Sequence, residues 1–188
     1  RLLRRWLSLS KPPVPVLGRT PGDRRPPSLD AMTLHRNVQR VIDAGVALGI
    51  DVRPVTFPEG TKTAQDAANA IGVDVGQIVK SLIFGVDEAV VLAYVSGANQ
   101  LDERKLAAAA GGGKCNRVDA DTVRTTTGFP IGGVPPFGHA TELPVFVDPD
   151  LLQYSEVWAA AGTGTDVFAL TPADLQRATG AVVTDLKR

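Results

Sequence analysis

The chain has 188 residues, enough for one domain and short for two. Hydrophobic residues make up 44%, charged residues 21%, and the formal net charge is zero. This is ordinary globular composition. A single cysteine, Cys115, excludes an internal disulfide and a Cys-based zinc knuckle, and makes a reducing cytoplasm the expected setting. Two histidines, His35 and His139, are too few for most His-rich metal sites, and no apolar run reaches membrane-spanning length.

The zero balance hides an asymmetry. Residues 1–31 carry seven Lys/Arg against two Asp, a balance of +5, and six of the fourteen prolines. They lack apolar periodicity and read as a disordered, basic, Pro-rich tail or a mis-called start. Ser8, Ser10, Lys11 and two prolines interrupt the apolar stretch that a secretory signal needs. Met32, the only Met, directly precedes the first helical pattern and is the expected start of the domain, residues 32–188. That body carries thirteen Lys/Arg against eighteen Asp/Glu, a balance of −5. A protein that coats duplex nucleic acid is usually basic, so any nucleic-acid contact here is local.

From Met32 the elements alternate. Val38, Val41, Ile42 and Leu48 recur at helical spacing and predict a helix over 33–48. Val52 to Phe57 reads as a short strand. Thr63-x-x-Asp66 opens a second helix with a capping box, closed by Gly72. The apolar, β-branched runs 78–86 and 88–96 flank Asp87 and predict a central hairpin. Asp102 caps an Ala-rich helix that stops at Gly111-Gly112-Gly113. A strand over 115–118, a helix capped by Asp119 and a Gly/Pro loop over 128–139 follow. Strands are expected at 145–147, 157–160 and 167–170, then a helix from Thr171-Pro172 with Thr as N-cap and Pro at its first position. A last strand lies near Val182-Val183. The interleaving predicts a single α/β domain with a mixed sheet and helices packed around it.

Phosphate-loop and nucleophile-elbow motifs are absent. Cys115 sits in a predicted strand and reads as an inert core thiol; a redox or thiol protein is the rival that labelling of the native chain would test. Three features remain. Lys80 lies in the apolar run Ile78-Val79-Lys80-Ser81-Leu82-Ile83-Phe84, where an ammonium either snorkels to solvent or meets an anion such as a phosphate. The stretch Gly128 to Gly138 holds four glycines and three prolines in eleven residues, a stiff, shaped loop able to present main-chain atoms to a ligand. Twelve residues to His139 is long for a plain connector. Ala160-Ala161-Gly162-Thr163-Gly164-Thr165 is a small-residue turn that serves equally as a hairpin turn or as a pocket wall.

Six segments in register across roughly 150 residues carry a resemblance: 63–68, Val79-Lys80-Ser81-Leu82-Ile83-Phe84, 101–106, Thr127 to Gly138, 143–148 and 171–175. Together they resemble the YbaK/prolyl-tRNA editing-domain family of aminoacyl-tRNA deacylases. The resemblance implies a compact fold on a mixed, partly barrel-like sheet. It implies hydrolysis of the ester of a mischarged tRNA, most often Cys- or Ala-tRNA(Pro), with no cofactor and no metal. Lys80 matches the family lysine that holds the 3′-terminal nucleotide. Gly132 and Gly133, with Pro136, match the family's G-x-x-x-P loop, and Gly162 matches the glycine of the later turn. That turn departs from the family's usual pattern in having no serine before the glycines. His139, just after the loop, is a further candidate for substrate binding. The implied partners are the acceptor end of tRNA and prolyl-tRNA synthetase, and no membrane. A non-catalytic tRNA- or nucleotide-binding module on the same fold is the alternative, because fold alone does not fix activity.

Overall fold

A computed structural model describes residues 34–58 and 63–188. The tail expected over 1–31 lies outside the described residues. The helices begin and end where local chemistry puts them. Helix α1 (Arg36–Ala47) is capped by His35, whose Nδ1 accepts from the Asn37 N–H. Helix α2 (Ala64–Ile71) has the expected capping box, with Thr63 and Asp66 bonding each other's backbone. Asp102 caps α3 (Glu103–Ala109), Asp119 caps α4 (Ala120–Thr127) and Thr171 caps α5 (Pro172–Thr179).

The strands are β1 (Val55–Thr56), β2 (Val79–Val86), β3 (Ala89–Ser96), β4 (Cys115–Arg117), β5 (Val145–Val147), β6 (Val157–Ala160), β7 (Asp166–Leu170) and β8 (Val182–Val183). They form two sheets, a five-stranded mixed sheet ordered β4-β2-β3-β5-β8 and a three-stranded sheet ordered β1-β7-β6. A bridge from Ile78 to Trp158 joins them, and the barrel does not close. β1 is shorter than the strand expected over 52–57. Pro54 offers no N–H to a ladder, so pairing starts after it, with Val55 facing Val167 and Thr56 facing Asp166. Two short 3₁₀ turns, Val75–Gln77 and Pro149–Gln153, carry no apolar period and were not anticipated.

The β2–β3 hairpin is the axis of the domain, in the register Val86 opposite Ala89 through Val79 opposite Ser96. Both of its faces are covered, which explains its unbroken apolar runs. One face gives Val79, Ile83, Leu92 and Tyr94 to the main core, with Phe129, Phe137 and Phe168. The other gives Phe84, Val86, Val91 and Val95 to a second core under α3, with Leu106 and Leu186. Leu92 and Leu106 are fully buried, each contributing about 1.5–3 kcal/mol by leaving water.

One detail of the pairing creates the site. β4 pairs only with Phe84 to Val86, and the bridge to β6 lies just beyond the other end of β2, at Ile78. The edge of β2 between these points, Val79 to Ile83, has no ladder partner on that side.

Candidate active site

Two cavities open along that edge. The larger, about 610 Å³, runs from Lys80 past Arg117 and Gln100 to Arg188. The smaller, about 390 Å³, runs toward Ala64, Ala67, Trp158 and Ala160. They share one wall, made of Lys80, Ser81 and Leu82 from β2 and Ile131, Gly132 and Val134 from the Gly/Pro loop. Two segments about 50 residues apart in sequence thus meet across one space, and the sequence singled out both.

Lys80 is half-buried. Its side chain leaves the β2 face that carries Phe84 and Val86, and its Nζ donates to the Asn99 carbonyl. Burial lowers its pKa from the ordinary lysine range, and the Asp148 carboxylate opposes that shift. Asp148 is fully buried and accepts from the Ser96 N–H (3.2 Å), the Asn99 side-chain amide (2.7 Å) and the Asp150 N–H (3.0 Å). The Asn99 amide also reaches Asp150, which pairs with Lys187 at 2.7 Å. A polar network therefore holds the residue whose carbonyl holds the ammonium. The Asn99 carbonyl and the nearby Asp148 carboxylate, an anion of the protein's own, seat this lysine.

The loop is held differently. Its ends are tied by Ala140 N–H to the Thr127 carbonyl and Thr141 N–H to that of Thr126. Phe129, Val134 and Phe137 drive into the main core, and Phe137 meets Phe168 edge to face at 5.8 Å between centroids. The buried Tyr94 hydroxyl donates to the Pro136 carbonyl at 2.7 Å, and burial raises that phenol's pKa. Packing of this kind fixes a backbone path and leaves it little freedom to act as a lid.

The six residues picked from the sequence divide into two groups. Lys80 and Gly132 line both cavities. Gly132 adopts φ +80°, and a Cβ built on it would meet nothing within 4 Å, so its space opens into the site. The other four stand behind it. A Cβ on Gly133 would strike the backbone of Gly162–Thr163 at about 2.9 Å, so the loop rests directly on the later turn. The Gly133 N–H is spent on the Pro130 carbonyl. Pro136 is buried beside Tyr94. Gly162, at φ +100°, presents its carbonyl to the Asn37 amide at 3.1 Å, docking the turn on α1. His139 lies at the rear of the loop, its Nε2 2.7 Å from the Pro135 carbonyl and its ring edge-on to Phe129. A carbonyl only accepts, so Nε2 carries the proton. Burial, with Arg40 stacked over Phe129, lowers the imidazole's pKa.

Sequence reasoning missed Asp148, Asn99 and Asp166. Asp166, largely buried, accepts from Thr56 (2.5 Å), Thr163 and Thr165 and so sets the shape of the turn. Its signal was the Thr-x-Thr-Asp spacing, and that of Asp148 was an Asp directly before Pro149. Cys115 lies in edge strand β4, and burial with Glu103 nearby raises its thiol pKa, the reverse of activation. Among the described residues no group of His, Cys, Asp and Glu is arranged to hold a metal ion, and no helix is long and apolar enough to cross a membrane.

Residues 58–178 match the sequence profile of the family described as "Aminoacyl-tRNA editing domain". The chain belongs to the aminoacyl-tRNA editing domain family. Among its relatives, YwhH of Bacillus subtilis, an uncharacterised protein, is 34% identical over 120 residues, 63% of this chain and 76% of that one. EbsC of Enterococcus faecalis, whose name marks it as a candidate Cys-tRNA(Pro)/Cys-tRNA(Cys) deacylase, is 30% identical over 62% of this chain and 71% of its own. A solved structure described as a candidate trans-editing enzyme for prolyl tRNA synthetase superposes with a TM-score of 0.79 at 46% identity, covering 83% of this chain and 99% of the other. The editing domain thus has the mixed fold and the class of activity, enzymatic editing of aminoacyl-tRNA, that the resemblance implied.

Proposed function

We propose that this editing domain acts in trans, in the cytoplasm, hydrolysing the ester of a mischarged aminoacyl-tRNA, with Cys- or Ala-tRNA(Pro) as its substrates. The observation that carries the reading is the shared wall, where a half-buried cation and an open, glycine-lined main chain face one space. Lys80 holds the 3′-terminal nucleotide, and the loop around Gly132 forms the wall at the reacting end. Only the acceptor end of the tRNA enters, which suits a body with an acidic balance. Prolyl-tRNA synthetase is the second partner of the proposal.

No side chain in the loop wall can serve as a nucleophile, so the chemistry assigned to it is the placing of water against the ester. Holding reactants in register supplies about 7–11 kcal/mol of a barrier. A backbone N–H aimed at the developing oxyanion adds about 3–4 kcal/mol. The Gly132 N–H has no partner among the described residues and is the donor of choice, since that of Gly133 is spent.

Release of free amino acid from tRNA charged with Cys, Ala, Ser or Pro tests the proposal. Turnover of the Cys or Ala esters, with Pro-tRNA(Pro) left intact, is the expected result. Tight binding of charged tRNA with no release from any member of the panel would instead identify the non-catalytic alternative.

A further inference from the structure

Ser81 sits between Lys80 and Leu82 on β2, opposite Tyr94 on β3, and its side chain shares the sheet face of Tyr94. The two hydroxyls have different fates. That of Tyr94 donates to the Pro136 carbonyl. The Ser81 Oγ is shielded from solvent and has no hydrogen-bond partner among the described residues. A shielded hydroxyl left unsatisfied costs the fold free energy, and such groups in native proteins call for an explanation. Ser81 itself belongs to the wall common to both cavities.

We infer that Ser81 is a substrate-binding residue whose hydroxyl donates to an oxygen at the junction of the terminal ribose and the aminoacyl ester. The inference rests on the deacylase reading above and deepens it. The larger cavity, with Gln100, Arg117 and Arg188 at its rim, suits the nucleotide. The smaller, walled by Ala64, Ala67 and Trp158, suits the amino-acid side chain. A ligand in both places its ribose–ester junction at their shared wall, against Ser81. The ribose–ester junction presents oxygens there, the ribose hydroxyl and the ester carbonyl, and a serine O–H donates to either. A hydroxyl that is unsatisfied in the unliganded domain and satisfied by substrate gives up stability for recognition.

The test pairs stability with kinetics in Ser81→Ala and Ser81→Thr. Ser81→Ala is expected to keep or raise the melting temperature while kcat/KM for deacylation falls about five- to tenfold, the worth of one neutral hydrogen bond. Ser81→Thr, which keeps the hydroxyl, restores most of the rate. In calorimetry, a non-hydrolysable 3′-aminoacylamido adenosine should bind Ser81→Ala more weakly by a similar factor. Unchanged kinetics and unchanged analogue binding in Ser81→Ala overturn the assignment, whatever happens to stability. If the wild-type domain releases no amino acid from any charged tRNA, the deacylase reading fails alone. The analogue titration then still decides whether Ser81 holds a ligand.

Discussion

The two walls of the site are built from opposite materials. Behind Lys80 stands a polar network, Asn99, Asp148 and Asp150 with Lys187, whose bonds fix the position of one charge. Behind Gly132 stand Phe129, Val134 and Phe137, whose packing fixes the path of a backbone. A hydrogen-bonded network is broken by the loss of one atom, whereas an apolar anchor is broken by the loss of volume. The cation wall should therefore be sensitive to isosteric changes that the loop wall would ignore, and the loop wall to truncations.

The largest effect is expected on the apolar side. Phe129→Ala removes a fully buried ring from the main core and should cost about 3–5 kcal/mol, lowering the melting temperature by about 6–20 °C. Thermal and denaturant unfolding measure it, and a shift under 2 °C would show that the loop is not anchored by this ring.

On the polar side, Lys80→Ala should slow deacylation about ten- to a hundredfold, the worth of a hydrogen bond to a charged group, with the melting temperature little changed. Asp148→Asn keeps the shape of the buried side chain but alters its acceptors, and should slow the reaction about tenfold. Its rate effect should vanish in the Lys80→Ala background, because it acts through the lysine. Additive losses in the double variant would show that Asp148 serves the reaction by some other route.

The two neighbouring glycines sharpen the contrast within a single loop. Gly132→Ala places a methyl in open space at φ +80°, a conformation that costs about 1–2 kcal/mol in an L-residue, and should lower activity with the fold intact by circular dichroism. Gly133→Ala drives the loop off the Gly162–Thr163 backbone and should lose stability as well as rate. Equal melting temperatures for the two variants would contradict this division.

The smallest effect concerns His139. Its folded-state pKa lies below that of the unfolded chain, so the folded form binds fewer protons. The stability of the neutral ring is fully present above the ordinary histidine pKa of about 6.5 and is lost as the pH falls from there through the lowered value. Melting temperatures between pH 7.5 and 5.5 should decline in the wild type and decline less in His139→Gln. Parallel pH profiles would mean that the ring titrates without strain.

What was legible in the sequence follows the range of the interactions. Thr63 with Asp66, Asp102, Asp119 and Thr171 are each satisfied within three residues of themselves, so their helix starts could be read directly. Lys80 was visible as a charge in an apolar strand, and the loop as a cluster of Gly and Pro. The support for Lys80 was not visible, because Asn99 and Asp148 lie 49 residues apart and no local pattern joins them. The same holds for Gly133 and Gly162, whose contact needs both backbones in place.

The sequence by itself determined the order of helices and strands, the caps Thr63, Asp102, Asp119 and Thr171, the hairpin about Asp87 and the family, since local backbone preferences and apolar periodicity are properties of neighbouring residues. Only the tertiary structure decided that β4 stops pairing at Phe84 and that β6 bridges to the β2 segment only at Ile78. The stretch of β2 edge left between them is where Lys80, Ser81 and Gly132 share a wall. Which strand edge stays open depends on how two sheets meet, and no run of adjacent residues encodes that angle.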